Sequence, residues 1–221
     1  MSPDALKDAV RIPIGDVTVD ADLHVPARVT GLVVFAHGSG SSRFSRRNRA
    51  VAGQLETAGF GTLLLDLLTP DEESVDERTR EYRFDIEMLG ARVVGAIDWA
   101  RTHSDVQDLP VALFGASTGA AAALMAAAAR PEPVRAVISR GGRPDRADRA
   151  LPNVQAPPRL IVGGEDEPVI EMNRDAMRRM RAPVELEIIP GAAHLFEERG
   201  ALEHVTRLAT DWCRRHLGRT P

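Results

Sequence analysis

Ser117 stands at the centre of Gly115-Ala-Ser-Thr-Gly119, between an apolar run ending at Gly115 and an Ala-rich run starting at Thr118. If the first run is a strand and the second a helix, the turn between them is tight and needs small neighbours. The hydroxyl is then lifted to the carboxyl edge of a sheet, where the Thr118 amide and the positive end of the helix dipole face the same space. That is the setting of a nucleophile. The other reading makes Ser117 an N-cap that accepts a hydrogen bond from the first helical turn, with glycines that only permit close packing. The pentapeptide by itself leaves both open.

A serine nucleophile needs a base, and the base needs an acid to orient it. The base belongs after the last strand, where loops at the same sheet edge surround the nucleophile. Val184 to Ile189 reads as that strand, and Pro190-Gly-Ala-Ala-His194 comes directly after it, so His194 is the candidate base. The other histidines fit less well: His24 lies in an early hairpin, His103 follows a helix, and His204 and His216 sit on the C-terminal helix. The acid belongs after the preceding strand, Arg159 to Gly163, which leads into Glu165-Asp166-Glu167-Pro168. Three adjacent acids are ordinarily a solvated turn. Asp166 has the short side chain that suits a fixed loop-to-imidazole hydrogen bond, and Pro168 stiffens the chain just beyond it. The chain order Ser117, Asp166, His194 is the one expected for this architecture, and the joint occurrence favours catalysis over capping.

The tetrahedral intermediate of acyl transfer also needs donors for its oxyanion. Thr118 offers one amide. The second is expected from His37-Gly-Ser-Gly-Ser-Ser42, after the third strand, with Ser39 as donor and Gly38 letting a substrate approach the backbone. His37 is read as holding this loop by a backbone hydrogen bond. Neither phosphate-binding glycine motif, G-x-x-x-x-G-K-[ST] nor G-x-G-x-x-G, is present there.

Positioning these residues takes an alternation of buried strands and amphipathic helices. Ala9 to Pro13 and Val17 to Val25 read as an antiparallel hairpin turning at Gly15-Asp16. Strand-like apolar runs lie at Gly31 to His37, Thr62 to Asp66, Pro110 to Gly115 and Val134 to Ser139, before the two already named. Helical patterns lie between them at Arg46 to Ala58, Phe84 to Thr102, Thr118 to Ala129, Val169 to Met180 and Leu202 to Leu217. This order predicts an α/β fold with a mostly parallel sheet of about eight strands and helices on both faces. The charged stretch Pro70 to Arg83 is expected to be an exposed loop or a poorly packed helix, and Arg143 to Pro158 irregular. Neither is long or apolar enough for a substantial cap, so one domain over residues 1–221 is expected.

Bulk properties narrow the partners. With 43% hydrophobic and 27% charged residues and a formal net charge of −4, the chain has no reason to attract nucleic acid or an anionic membrane. The first residues lack a signal-peptide pattern, and the Ala-rich run is too short and weakly apolar to span a bilayer. One cysteine, Cys213, rules out an internal disulfide framework, and a cytoplasmic location is expected. There is no HExxH and no cysteine-histidine cluster, so no metal site is expected. A homodimer is the one protein partner left open.

HGSGSS after the third strand, GASTG at the turn, GGEDEPV after the penultimate strand and GAAHLF after the last resemble the α/β-hydrolase superfamily. The small size and missing cap make the chain most similar to the dienelactone hydrolase-like family of small hydrolases. That resemblance implies an α/β-hydrolase fold and hydrolysis without a cofactor. Dienelactone hydrolases themselves carry cysteine at the turn, so Ser117 implies a general esterase. The expected substrate is a small or short-acyl carboxylic ester. Lactone, thioester or amide hydrolysis, acyl transfer to another acceptor, and a binding module without chemistry are the alternatives.

Arginines and a spare acid complete the candidate set. Arg140 follows the strand Val134 to Ser139 and could clamp a substrate carboxylate, although pairing with Asp145 or Asp166 is preferred. Asp145 is the fallback acid. Arg43, Arg46, Arg47 and Arg49 could attract an anion, but a solvated first helical turn is the preferred reading.

Overall fold

The computed structural model describes residues 5–218; both ends of the expected 1–221 domain lie outside that range. Eight strands form one sheet: β1 (Leu6–Ile14), β2 (Val17–Val25), β3 (Leu32–Ala36), β4 (Gly61–Leu65), β5 (Val111–Ala116), β6 (Val134–Arg140), β7 (Pro158–Gly163) and β8 (Glu185–Ile189). Their spatial order is β1-β2-β4-β3-β5-β6-β7-β8. The β1–β2 and β2–β4 pairs are antiparallel, and every other pair is parallel. The hairpin is longer than the sequence suggested, because β1 reaches back to Leu6 through residues whose exposed side chains hide the alternation.

Among the described residues the six α-helices are α1 (Arg46–Thr57), α2 (Pro70–Thr79), α3 (Ile86–Ala100), α4 (Thr118–Ala129), α5 (Glu167–Met177) and α6 (Ala201–Leu217). Two cores sandwich the sheet. On one face Val34, Leu63, Leu113 and Val137 pack against α3 and α4. On the other Phe35, Phe114, Ile138 and Ile161 pack against α1 and α6. Strands β3 to β7 are buried almost throughout, which accounts for their unbroken apolar runs. Cys213 lies in the second core, where burial pushes its thiol up to about 12.

Pro70 to Arg83 follows the second of the two expectations, a mostly exposed helix that packs little against the other elements. It contains α2, a well-capped helix. Thr69 and Glu72 form a reciprocal capping box, Pro70 opens the first turn and Asp71, Glu72 and Glu73 favour its positive end. Arg80, at φ 60°, ends it. The chain then folds back so that the Tyr82 and Arg83 amides and the Arg83 guanidinium all bond the Asp76 carboxylate. Burial opposes ionisation of Asp76, but these donors outweigh it and hold the carboxyl below its usual range. Arg92 on α3 ties to Glu72 at 2.6 Å, so the first turn of α2 is fastened to α3. Residues 143–157 are irregular as expected, with short 3-10 turns at Pro144–Ala147 and Leu151–Asn153, and Pro158 already opens β7. There is no cap domain among the described residues.

Candidate active site

Strand order reverses between β3 and β5: β4 lies on one side of β3, while β6, β7 and β8 continue beyond β5. Loops at the carboxyl ends of strands diverge at such a point and leave a crevice. The loop after β3 carries residues 37–42, the turn after β5 carries Ser117, and the loops after β7 and β8 carry Asp166 and His194.

Ser117 occupies the N-cap position of α4, yet its side chain makes no capping bond. Its backbone sits at φ 50°, ψ −119°, a conformation L-residues avoid. The turn is held by hydrogen bonds from the Ser117 amide to the Arg140 carbonyl and from the Arg143 and Ala120 amides to the Ser117 carbonyl, each 3.1 Å. Small flanking residues are obligatory. A β-carbon on Gly115 would lie 2.3 Å from the Ala120 Cα, and one on Gly119 would lie 2.2 Å from the Ala36 carbonyl oxygen. The capping reading is thereby removed, and the hydroxyl is left free.

His194 Nδ1 lies 2.7 Å from Asp166 Oδ2. The two loops are stitched together by backbone: the Gly164 amide donates to the Ile189 carbonyl and the Glu165 amide to the Ala192 carbonyl. Gly163 must be glycine here, since a β-carbon would sit 2.3 Å from the Ala192 oxygen. The His194 ring lies against Gly141, its Cε1 3.5 Å from where a β-carbon would stand. Gly141 follows Arg140, whose carbonyl holds the Ser117 amide, so a single strand end braces both His194 and Ser117. No hydrogen bond joins Ser117 to His194 among the described residues. The fallback acid Asp145 is engaged by Arg143 through two bonds of 2.9 and 2.8 Å.

The loop after β3 approaches the turn closely: a β-carbon on Gly38 would be 3.2 Å from Ser117 Cβ. The loop closes through the Ser41 amide to the Gly38 carbonyl. The Ser39 amide is not consumed by that turn, and the Thr118 amide opens α4 without an intrahelical acceptor. His37 braces the loop. Its Nε2 accepts from the Leu67 amide at 3.0 Å, so the proton rides on Nδ1, which donates to the Gly38 carbonyl at 2.9 Å. Burial lowers its pKa, with the Gly38 bond and Asp66 partly opposing, and the ring is held neutral.

Arginine assignments change. Arg140 is buried and forms no ion pair among the described residues, and its Nη1 has no partner. Burial, then Arg47, lowers its pKa to about 10. The expected pairing with Asp145 or Asp166 fails because Arg143 takes Asp145 and His194 takes Asp166. Nor is the arginine cluster simply a solvated turn: Arg43 bonds Asp66, Arg49 bonds Asp22, and Arg47 reaches Glu197 at 2.9 Å. These ties fasten the chain after the loop to the sheet and to the loop beyond His194.

Beside Ser39 and Thr118 lies a cavity of about 250 Å³, closed on its far side by α2. Its acidic wall, formed by Glu73, Asp76 and Glu77, was missed from sequence. The capping pair Thr69-x-x-Glu72 was the available signal for the helix that carries it.

Comparisons with known proteins agree with this architecture. Residues 19–215 match the model of the dienelactone hydrolase family. A crystal structure of dienelactone hydrolase from Anabaena variabilis is 55% identical, with a TM-score of 0.94 covering 97% of this chain and 99% of that one. Est1E from Butyrivibrio proteoclasticus shares the fold at 17% identity, with a TM-score of 0.77 over 94% of this chain and 98% of its own. A Mycobacterium tuberculosis protein, provisionally named a phosphoribosyl transferase, is 52% identical over 215 residues. That match takes in 97% of this chain but 48% of the relative, so the chain spans about half the length of the curated relatives it matches. No helix among the described residues is long and apolar enough to cross a membrane. With the family model covering most of its length, the chain belongs to the dienelactone hydrolase family of α/β hydrolases.

Proposed function

We propose that the chain hydrolyses small or short-acyl carboxylic esters through an acyl-enzyme on Ser117. The observation that carries this reading is the 2.7 Å His194–Asp166 pair set beside a serine at φ 50° whose hydroxyl caps nothing. Ser117 Oγ bonds to the ester carbonyl carbon while its proton passes to His194 Nε2, and the carbonyl electron pair moves onto oxygen. The Thr118 and Ser39 amides hold that oxyanion. Collapse breaks the bond to the alcohol, which departs with the proton from His194. Water then adds to the acyl carbon, gives its proton to His194, and the second collapse returns that proton to Ser117 as the acid leaves. Asp166 keeps the imidazole in the required tautomer and stabilises its charged form. The Ser117–His194 bond closes when substrate fills the crevice, as catalytic hydrogen bonds commonly do. The small volume of the cavity beside the loop supports a preference for small substrates.

Labelling with a fluorophosphonate probe tests the nucleophile. The native chain is expected to label and to cleave a short-acyl ester, while Ser117→Ala does neither. An unlabelled native chain, or a mutant that labels equally, would overturn the assignment.

A further inference from the structure

We propose that the cavity between the loop after β3 and α2 selects esters bearing a cationic ammonium group over anionic ones, with Glu73 setting the preference. The inference deepens the esterase reading and rests on it. One wall of the cavity is Ser39 and Thr118, the residues whose amides hold the oxyanion in that reading, so one end of a bound ester would lie beside it. The opposite wall is α2, where Glu73, Asp76 and Glu77 share one face by their spacing of three and four residues. Leu67 and Leu89 supply an apolar floor.

The charges do not cancel. Arg83 is the lining cation, and it is committed to Asp76: Nε donates to the carboxylate at 2.6 Å and Nη2 to the Asp76 carbonyl at 3.0 Å. Asp66 behind the cavity is matched by Arg43. Glu73 and Glu77 have no ion pair among the described residues, so the chamber carries two uncompensated carboxylates. The negative field is felt locally. Burial, then Asp66, Glu77 and Asp76, push the Glu73 carboxyl up. A second observation points to a ligand: Thr118 Oγ1 is buried on this wall with no hydrogen-bond partner. A carboxylate entering here would meet like charge in a half-enclosed space, whereas an ammonium group would meet two partners.

Three acetates of equal length test this: one ending in tert-butyl, its trimethylammonium isostere, and one ending in carboxylate. At low salt the native chain should show kcat/KM roughly three- to tenfold higher for the ammonium ester than for the tert-butyl ester, with the carboxylate ester lowest. Raising salt should shrink the spread, because the cavity is open to solvent. Glu73→Gln should lower the ammonium-to-neutral ratio, and Glu77→Gln gives a second reading should the first variant be poorly folded. A native ratio at or below one, or a carboxylate ester as the best substrate, overturns the proposal while leaving the esterase reading intact. If none of the three is cleaved in a Ser117-dependent way, the esterase reading falls and takes this inference with it.

Discussion

Ser117 is held in a backbone conformation that glycine would adopt freely, and the molecule sustains it through the bonds to Arg140, Arg143 and Ala120. Holding a non-glycine residue there costs on the order of 1–3 kcal/mol. Ser117→Gly should therefore be inactive and yet more stable, by about 1 kcal/mol in the urea unfolding free energy. Equal or lower stability would mean that the hydroxyl or its β-carbon makes a compensating contact. Which serine, histidine and acid to examine was legible from chain order alone. What was not legible was the partnership of each arginine. Arg140 and Arg143 are three residues apart and both near acids in sequence, but only Arg143 has the geometry to reach Asp145. Ion-pair choice depends on side-chain direction at the strand end, which spacing does not encode.

At the scale of elements, α2 is where pattern reading left loop and helix both open. Its residues are mostly charged and its exposed face dominates, so no apolar periodicity marks it. It forms because both ends are closed by hydrogen bonds, at Thr69-Glu72 and at Asp76 with residues 82 and 83. The Asp76–Arg83 clamp lies largely out of water, with side-chain exposures of 3% and 19%. Removing one partner of a buried pair strands the other, so Asp76→Ala should cost about 3 kcal/mol in chemical unfolding. A loss below about 1 kcal/mol would show that α2 is held by its cap and by Arg92 alone. By contrast α4 was readable, because alanines from 120 to 127 fit only a helix pressed close to its neighbours.

Across the whole molecule, the two most buried of the shifted groups that respond to acid are His37 and Asp76. The His37 pKa is depressed in the fold, so below the ordinary 6.5 the unfolded chain takes up the proton first. Stability is thus lost as pH falls from 6.5 to the depressed value. Asp76 is held below its ordinary 3.8, so its contribution is complete above 3.8 and is lost as pH drops from there to the lowered value. Urea midpoints measured downward from pH 7.5 should fall in two steps, the first beginning near 6.5 and smaller in His37→Asn, where only the likewise lowered His216 still contributes. A midpoint flat from pH 7.5 to 4.5 in the native chain would contradict the neutral, buried His37.

By itself the sequence determined the fold class, the sheet with helices on both faces, and the order of Ser117, Asp166 and His194. Each of these is written in local pattern: apolar runs of strand length, helical periodicity, and small residues where a turn must be tight. Tertiary structure decided the rest. The strand-order reversal between β3 and β5 brings Gly38 against Ser117. Backbone bonds between residues 164–165 and 189–192 set His194 on Asp166. The acidic wall of the cavity exists only because α2 stands across from the loop after β3. All three depend on contacts between segments distant in the chain, whose geometry is set by packing and strand order and leaves no mark on local spacing.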